Sequence, residues 1–156
     1  MADVTISPVE AGDAGEILTL QRAAYVTEAQ LYGDPFLPAL TQTYQELRAE
    51  LAEGFALKAT CDTRIIGVGR ARQDGPVWHI GRLTIAPDAQ GQGIGTRLLT
   101  ELERSAPAGV ESFALFTGHL SVANIRLYER LGYREERRET LRPGVDLVHL
   151  AKHAGR

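Results

Sequence analysis

The glycine-rich stretch AQGQGIGTRLL at residues 89–99 constrains the fold more than any other segment. Gly91, Gly93 and Gly95 alternate with other residues where a helical pattern begins. Each glycine inside a helix costs about 1 kcal/mol relative to alanine, so the alternation needs a compensating role. An apolar strand pattern at 77–85 precedes the stretch, and an apolar helix face follows it. The segment therefore predicts a strand, a glycine loop and a helix in succession.

This succession is typical of a phosphate-binding loop. The first turn of a helix leaves about four backbone N–H groups without partners and carries roughly half a positive charge, which an anion satisfies. Glycines before the helix allow a phosphate to approach the backbone closely. A glycine-rich turn without a ligand is the alternative interpretation.

The residues around the glycines limit which phosphate-containing ligands the loop could bind. No lysine occurs in the stretch, which argues against the loop of a nucleoside triphosphatase. The glycine spacing differs from a dinucleotide fingerprint, and the loop follows a mid-chain strand rather than the first one. Coenzyme A, which carries acyl groups, belongs to the class of phosphate-bearing cofactors that remains.

Composition bounds the remaining possibilities. The 156 residues suit one domain over 1–156, and a net charge of −3 argues against general nucleic-acid binding. Cys61 is the only cysteine, so we expect no internal disulfide, no cysteine-based metal site and a reducing compartment. The N-terminal residues lack a signal-peptide pattern, and no apolar run approaches about 18 residues. We therefore expect a cytoplasmic protein that does not associate with a membrane.

Periodicity predicts a mixed α/β fold with the order β-α-α-β-β-β-α-β-α-β-β. The first helix follows a capping-box pattern at Asp13 and Glu16, and the segment 33–38 is predicted to be a loop. The passage from 77 to 117 predicts parallel strands joined by a helical crossover. Strands are predicted at 3–8, 55–61, 64–72, 77–85, 110–117, 133–142 and 145–151, and further helices at 43–53, from about 93, and at 121–131.

Two segments resemble the GNAT N-acetyltransferase superfamily. Gln90, Gly93 and Gly95 fill its [RQ]-x-x-G-x-[GA] acetyl-CoA loop pattern, and the segment from Asn124 to Tyr133 is similar to its second hallmark. The resemblance implies a central, mostly antiparallel mixed sheet of about seven strands with four helices, splayed between the fourth and fifth strands. It also implies acetyl-CoA as co-substrate, no metal, and a homodimer as a common state.

The resemblance implies which residues bind the cofactor. Backbone amides of the loop would bind the pyrophosphate, and the preceding strand, at Leu83, Thr84 and Ile85, would bind the pantetheine arm. Asn124 would also contact the pantetheine; alternatively, Asn124 and Ser121 serve only the start of their helix. The loop amides belong to Gln90, Gly91, Gln92, Gly93, Ile94, Gly95 and Thr96.

The same resemblance implies two catalytic residues. Tyr128 would donate a proton to the departing thiolate; alternatively, it packs its helix onto the core. His79 lies eleven residues before Gln90, where some family members carry a base, and it shares strand parity with Leu83 and Ile85. An imidazole with a pKa of about 6.5 suits proton removal at neutral pH. Three alternatives to this role of His79 stay open. A β-bulge would break the shared parity. His79 could be a hydrogen-bonded core residue, or ordered water could take the place of a protein base.

The predicted activity is transfer of an acetyl group from acetyl-CoA to a primary amine of a small molecule, peptide or protein, by direct attack in a ternary complex. A non-catalytic acyl-CoA-binding module and an acyltransferase with a different donor are the alternatives. Helix residues such as Tyr25, Glu28 and Asp34 are candidates for the acceptor site, since carboxylates and aromatic rings suit a cationic amine. The sequence does not identify the acceptor.

Overall fold

A computed structural model describes residues 3–155 and contains one seven-stranded sheet. Its strand order is β1-β2-β3-β4-β5-β7-β6, and every neighbouring pair is antiparallel except β4 and β5. The mixed, mostly antiparallel sheet predicted from the sequence is therefore confirmed. The strands are β1 (Val4–Pro8), β2 (Phe55–Cys61), β3 (Arg64–Asp74), β4 (Val77–Ile85), β5 (Ser112–Gly118), β6 (Arg134–Arg142) and β7 (Val145–His153).

Five α-helices accompany the sheet: α1 (Ala14–Tyr32), α2 (Pro38–Thr41), α3 (Tyr44–Glu53), α4 (Ile94–Arg104) and α5 (Val122–Arg130). The sequence predicts four of them. The additional helix is the single turn α2, which begins at Pro38, where the fixed backbone angle of proline favours a helical start. None of the described helices is both long and apolar enough to cross a membrane.

The start of α1 differs from its predicted capping box. The Asp13 carboxylate accepts the backbone N–H of Glu10, 2.8 Å away, so the box closes one turn earlier than the sequence suggests. Glu16, the expected partner, instead accepts the backbone N–H of Ile65 at 2.6 Å. The carboxylate of Glu16 thereby fixes α1 to the start of β3.

Helix α4 is held on the sheet by close packing. Its buried face consists of Ile94, Leu98, Leu99 and Leu102. Gly69 of β3 makes room for this face, since a Cβ there would lie 2.7 Å from Leu102 Cδ1. The indole N–H of Trp78 on β4 donates to the Leu102 carbonyl at 2.9 Å. The contacts of Leu102 hold the C-terminal half of α4 against β3 and the beginning of β4.

Strands β4 and β5 pair along only part of their length. The parallel pairing joins Val77, Trp78 and His79 to Ser112, Phe113 and Ala114, and then it stops. Beyond His79, β4 runs on to Ile85 against β3, while β5 runs on to Gly118 against β7. The splay predicted between the fourth and fifth strands is confirmed, and it opens a gap in the middle of the sheet.

A bulge in β4 lies at this gap. Val68 pairs with Thr84, but Arg70 pairs with Gly81, so β4 carries one extra residue opposite Gly69. Arg82 takes up the irregularity with a φ of 48°, and the Thr84 hydroxyl donates to its carbonyl at 2.9 Å. Such a φ is unfavourable for a residue with a Cβ atom.

The bulge changes which β4 side chains share a face. Trp78 reaches α4 through its indole, and Leu83 also faces α4, because its Cδ1 lies 3.2 Å from a Cβ built on Gly69. His79 follows Trp78 directly, so it lies on the opposite face. The parity expected between His79 and Leu83 and Ile85 is therefore wrong, because the extra residue inverts the alternation between them.

Candidate active site

The glycine loop arrives at α4 with open backbone amides. A 3₁₀ turn at Pro87–Ala89 leads into it, and Gly91 and Gly93 both adopt a φ of 80°. A Cβ on either glycine would meet no atom within 4 Å, so the space beside the backbone is free. Among the described residues, no side chain caps the first turn of α4. An anion placed there would meet N–H groups and the positive end of the helix dipole.

Gly95 has different surroundings from the other two glycines. A Cβ there would lie 3.4 Å from Leu127 Cδ2 of α5 and 3.9 Å from Leu83 Cδ2. The Gly95 position therefore faces packed side chains of α5 and β4, at ordinary contact distances, and not free space. Nearby, Arg64 donates to both carboxylate oxygens of Asp88 at 2.7 Å, which ties the 3₁₀ turn to β3.

A small cavity of about 60 Å³ occupies the gap between β4 and β5. It brings together three residues that the sequence analysis assigned to cofactor binding or catalysis: Leu83, Asn124 and Tyr128. Thr84 and Ile85 lie further along β4, outside the lining. The full lining is Tyr25, Ile80, Gly81, Arg82, Leu83, Leu115, Phe116, Thr117, Asn124 and Tyr128.

Tyr128 presents a protonated hydroxyl to this cavity. Burial, with a smaller contribution from the nearby Tyr25 and Glu28, raises the pKa of Tyr128 well above its ordinary value. The hydroxyl makes no hydrogen bond within residues 3–155, while the ring packs 6.2 Å from that of Tyr133. Tyr128 therefore combines the expected packing role with a hydroxyl that is free to act on a ligand.

Ser121 and Asn124 separate into two roles at the start of α5. Ser121 precedes the helix, but its hydroxyl donates to Glu28 at 2.7 Å and accepts from Tyr32 at 2.8 Å, rather than bonding a helix amide. Asn124, one turn later, lines the cavity beside Tyr128. The hydroxyl of Ser121 thus fastens α5 to α1, and Asn124 is left facing the gap.

His79 lies outside the small cavity. It lines a much larger open groove of about 1040 Å³ on the sheet, which shares Ile80, Gly81 and Arg82 with the small cavity. The imidazole is 39% exposed, and its Nε2 is 3.9 Å from the Asp74 carboxylate. Partial burial and the neighbouring Arg72 lower the pKa of His79, so the ring is neutral at pH 7.

Strand alternation predicts Arg82 on the face opposite His79, as a residue that could shape the acceptor site but not as a cofactor-binding or catalytic residue; the structure places both residues in the groove lining. Arg82 lines both the cavity and the groove, and its guanidinium carbon lies 5.9 Å from the centre of the Tyr25 ring. Its Nη1 atom is buried and has no hydrogen-bond partner among the described residues. No local pattern marks Arg82 as a binding residue, because the position of the bulge that aims it into the site cannot be read from the neighbouring residues.

The acceptor candidates on α1 have different surroundings. Asp34 forms a 2.8 Å ion pair with Arg142 of β6, so its charge is compensated. Glu28 accepts only the Ser121 hydroxyl among the side-chain hydrogen bonds within residues 3–155. In the same part of the chain, no group of three or more His, Cys, Asp or Glu residues could hold a metal ion.

The chain is similar to a curated protein over most of its own length. A curated relative, UPF0157 protein YqkA of Bacillus subtilis (strain 168), is 27% identical over 146 residues, or 92% of this chain and 40% of that protein. The chain therefore spans well under half the length of this relative.

Solved structures share the fold. PaiA N-acetyltransferase of Thermoplasma acidophilum, in complex with coenzyme A, aligns with a TM-score of 0.82 at 18% identity, covering 97% of this chain and 99% of that one. YncA, a putative acetyltransferase of Salmonella typhimurium with acetyl-CoA, aligns with a TM-score of 0.79 at 16% identity, covering 99% and 96%.

A family model described as an acetyltransferase (GNAT) domain matches residues 24–154, which is most of the chain. That match includes the glycine loop, both strands of the splay and α5. The chain therefore belongs to the GNAT acetyltransferase domain family.

Proposed function

We propose that this protein transfers an acetyl group from acetyl-CoA to a primary amine by direct attack in a ternary complex. One observation carries the proposal: the uncapped start of α4 packs beside β4 and α5, and Leu83 of β4 and Tyr128 of α5 both line the cavity between β4 and β5. Solved structures of the same fold that contain coenzyme A or acetyl-CoA support the choice of donor.

The residues around the gap suit an acyl-CoA ligand. A pyrophosphate would accept N–H groups from Gln90 to Thr96, where glycines at 91 and 93 leave free space. Backbone groups of Leu83, Thr84 and Ile85 would bond the pantetheine amides, since β4 has no partner strand on the gap side beyond His79. Asn124 would add a side-chain contact.

Bound acetyl-CoA supplies a thioester that an amine can attack. The amine nitrogen forms a bond to the carbonyl carbon, the carbon–sulfur bond breaks, and the sulfur takes a proton from the Tyr128 hydroxyl, whose oxygen regains a proton from solvent when the products leave. Because burial raises the pKa of Tyr128, the hydroxyl is fully protonated at neutral pH. A positioned acid of this kind typically contributes about 10²–10⁴-fold to the rate.

His79 is proposed as the group that removes the proton from the attacking amine. Its lowered pKa keeps the imidazole neutral and able to accept a proton near pH 7. Because His79 lines the groove and not the cavity, the proton would travel through at least one water molecule. Holding the two reactants side by side supplies much of the remaining acceleration.

The proposal is tested by incubating the protein with acetyl-CoA and a panel of primary amines. Thiol release should require an amine, and mass spectrometry should find an equal amount of N-acetylated product. Tight binding of acetyl-CoA without any acetylated amine would instead identify an acyl-CoA-binding module. Faster turnover with succinyl-CoA or propionyl-CoA would identify a different acyl donor.

A further inference from the structure

We infer that the acceptor of this acetyltransferase is a small amine that carries a carboxylate, and that Arg82 binds this carboxylate. The inference rests on the proposed function, because it names the class of molecule that receives the acetyl group. It derives from an unsatisfied guanidinium at the border between the small cavity and the groove.

The guanidinium of Arg82 lacks the partner that a buried donor requires. Its Nη1 is inaccessible to solvent and makes no hydrogen bond within the described residues. A buried donor without an acceptor is costly, and the cost is larger for a charged group. The Tyr25 ring below the guanidinium offers a cation–π contact but no in-plane acceptor.

Glu50, a carboxylate close enough to Arg82 to feel its charge, is already engaged by another arginine. Glu50 accepts from Arg70 Nη1, and Arg70 also donates to Gln21 at 3.2 Å. Arg70 Nε is itself buried without a partner. Glu50 therefore hydrogen-bonds only one of the two guanidinium groups that act on it, and each guanidinium keeps one buried N–H without a partner among the described residues.

The charge of the groove indicates a monoanion. Its lining includes four arginines and three glutamates, so these residues leave an excess of one positive charge. One carboxylate balances that excess, whereas a dianionic phosphate would exceed it. The arginines are Arg70, Arg72, Arg82 and Arg137, and the glutamates are Glu50, Glu53 and Glu136.

The backbone at Arg82 supports a role in ligand binding. A φ of 48° is strained for arginine, and the Thr84 hydroxyl helps to hold it. The strain places the guanidinium over Tyr25 at the mouth of the cavity that also holds Tyr128. An acceptor with its carboxylate on Arg82 could therefore present its amine towards the thioester side of the cavity.

Glu28 supplies a negative charge that complements the ammonium group of the proposed acceptor. Its carboxylate lies near enough to Tyr25 and Tyr128 to influence both hydroxyls electrostatically. A negative group beside Tyr128 and a positive group beside Tyr25 match the ammonium and the carboxylate of an amino acid. Both ends of such a molecule would find an opposite charge.

The test compares amino acids with their carboxamides. Each pair presents the same amine and differs in the negative charge. The ammonium group of the carboxamide is more acidic than that of the amino acid, so a larger fraction of the carboxamide has a neutral, reactive amine at a given pH. The difference in amine protonation therefore cannot explain a preference for the carboxylate. We expect the wild-type kcat/KM to favour the carboxylates by about 10–100-fold, as a charge-assisted hydrogen bond provides.

Variants assign the preference to Arg82. Arg82→Gln should reduce the ratio to about one, mainly through KM, and Arg82→Lys should retain part of it. Arg104→Gln removes the same charge from the exposed end of α4, outside the groove, and should leave the ratio unchanged. Acetyl-CoA should raise the melting temperature of all these proteins equally, which verifies folding and cofactor binding.

Three outcomes would overturn the inference and leave the proposed function intact. One is equal or better turnover of carboxamides by the wild type. Another is acetylation only of amines without a carboxylate, by a protein whose melting temperature acetyl-CoA still raises. The third is loss of acetyl-CoA affinity in Arg82→Gln with an unchanged ratio, which would assign Arg82 to the cofactor. Failure of the proposed function would differ from all three, since the wild type would then transfer acetyl groups from acetyl-CoA to no amine in the panel, charged or uncharged.

Discussion

The loop before α4 and the groove beside Arg82 are built on different principles. In the loop, Gly91 and Gly93 expose backbone amides and leave free space, so recognition depends on the main chain. In the groove, arginine, glutamate and histidine side chains from several strands and helices meet, and Arg82 keeps an unfilled donor. The loop is therefore suited to a ligand that stays constant, whereas the side chains of the groove can vary with the acceptor.

The largest effect that separates the two regions is expected from Gly93→Val. Valine at a φ of 80° would distort the loop and misdirect its amides. We expect kcat/KM for acetyl-CoA to fall about 1,000-fold, equivalent to the loss of two charge-assisted hydrogen bonds.

The matched control for this variant is Gly75→Val in the turn between β3 and β4, where φ is 57° and a Cβ would meet no atom within 4 Å. Both variants should lose about 1–2 kcal/mol of folding stability, because both force a β-branched residue into the left-handed region. Only Gly93→Val should lose acetyl-CoA. Similar acetyl-CoA kinetics in the two variants would refute a backbone-defined cofactor site.

A smaller effect is expected from Tyr128→Phe, which lies where the two regions meet. The change removes only the hydroxyl and keeps the ring that packs near Tyr133. We expect kcat to fall about 100-fold with little change in the thermal stabilisation by acetyl-CoA. Steady-state kinetics and melting curves measure the two quantities separately, and unchanged turnover would remove Tyr128 from the mechanism.

The smallest effect is expected on the groove side, from His79→Gln. A base that acts through water should contribute less than the typical range, so we expect about a tenfold loss of kcat/KM above the pKa of His79. Since that pKa is lowered, the acidic limb of the wild-type profile should lie below the ordinary value of about 6.5.

The pH dependence decides how this loss is interpreted. At lower pH the wild-type imidazole becomes protonated and stops acting as a base, so the difference between wild type and His79→Gln should disappear. A loss of the same size at every pH would instead indicate that His79 matters for packing. Arg72→Gln should sharpen the result by moving the acidic limb upward, because Arg72 helps to lower the pKa of His79.

The loop could be predicted from the sequence because its information is local. Three glycines, Gln90 and the apolar face of α4 lie within a short segment, and strand periodicity located all seven strands. The splay followed from the resemblance rather than from the residues themselves. The extra helical turn α2 was missed, since a segment with two prolines and a glycine also fits a loop.

The groove could not be predicted because it depends on contacts between distant segments. One extra residue in β4 inverts the side-chain alternation between His79 and Leu83; Gly81 is compatible with a bulge there, but a single glycine does not fix where the extra residue falls. The unfilled donor of Arg82 exists only because Tyr25 of α1 covers the guanidinium and Arg70 occupies Glu50. Such a site becomes visible when burial and hydrogen bonds are known.

Binding of the acetyl-CoA pyrophosphate by the amides before α4 can be tested directly. The experiment compares the melting temperature of the protein with two ligands. Acetyl-CoA at about a hundred times its Kd should raise the melting temperature by about 5 °C or more. S-acetylpantetheine, which has the same thioester but no pyrophosphate, should produce almost no shift at that concentration. No shift with acetyl-CoA, or equal shifts with both ligands, would contradict the account.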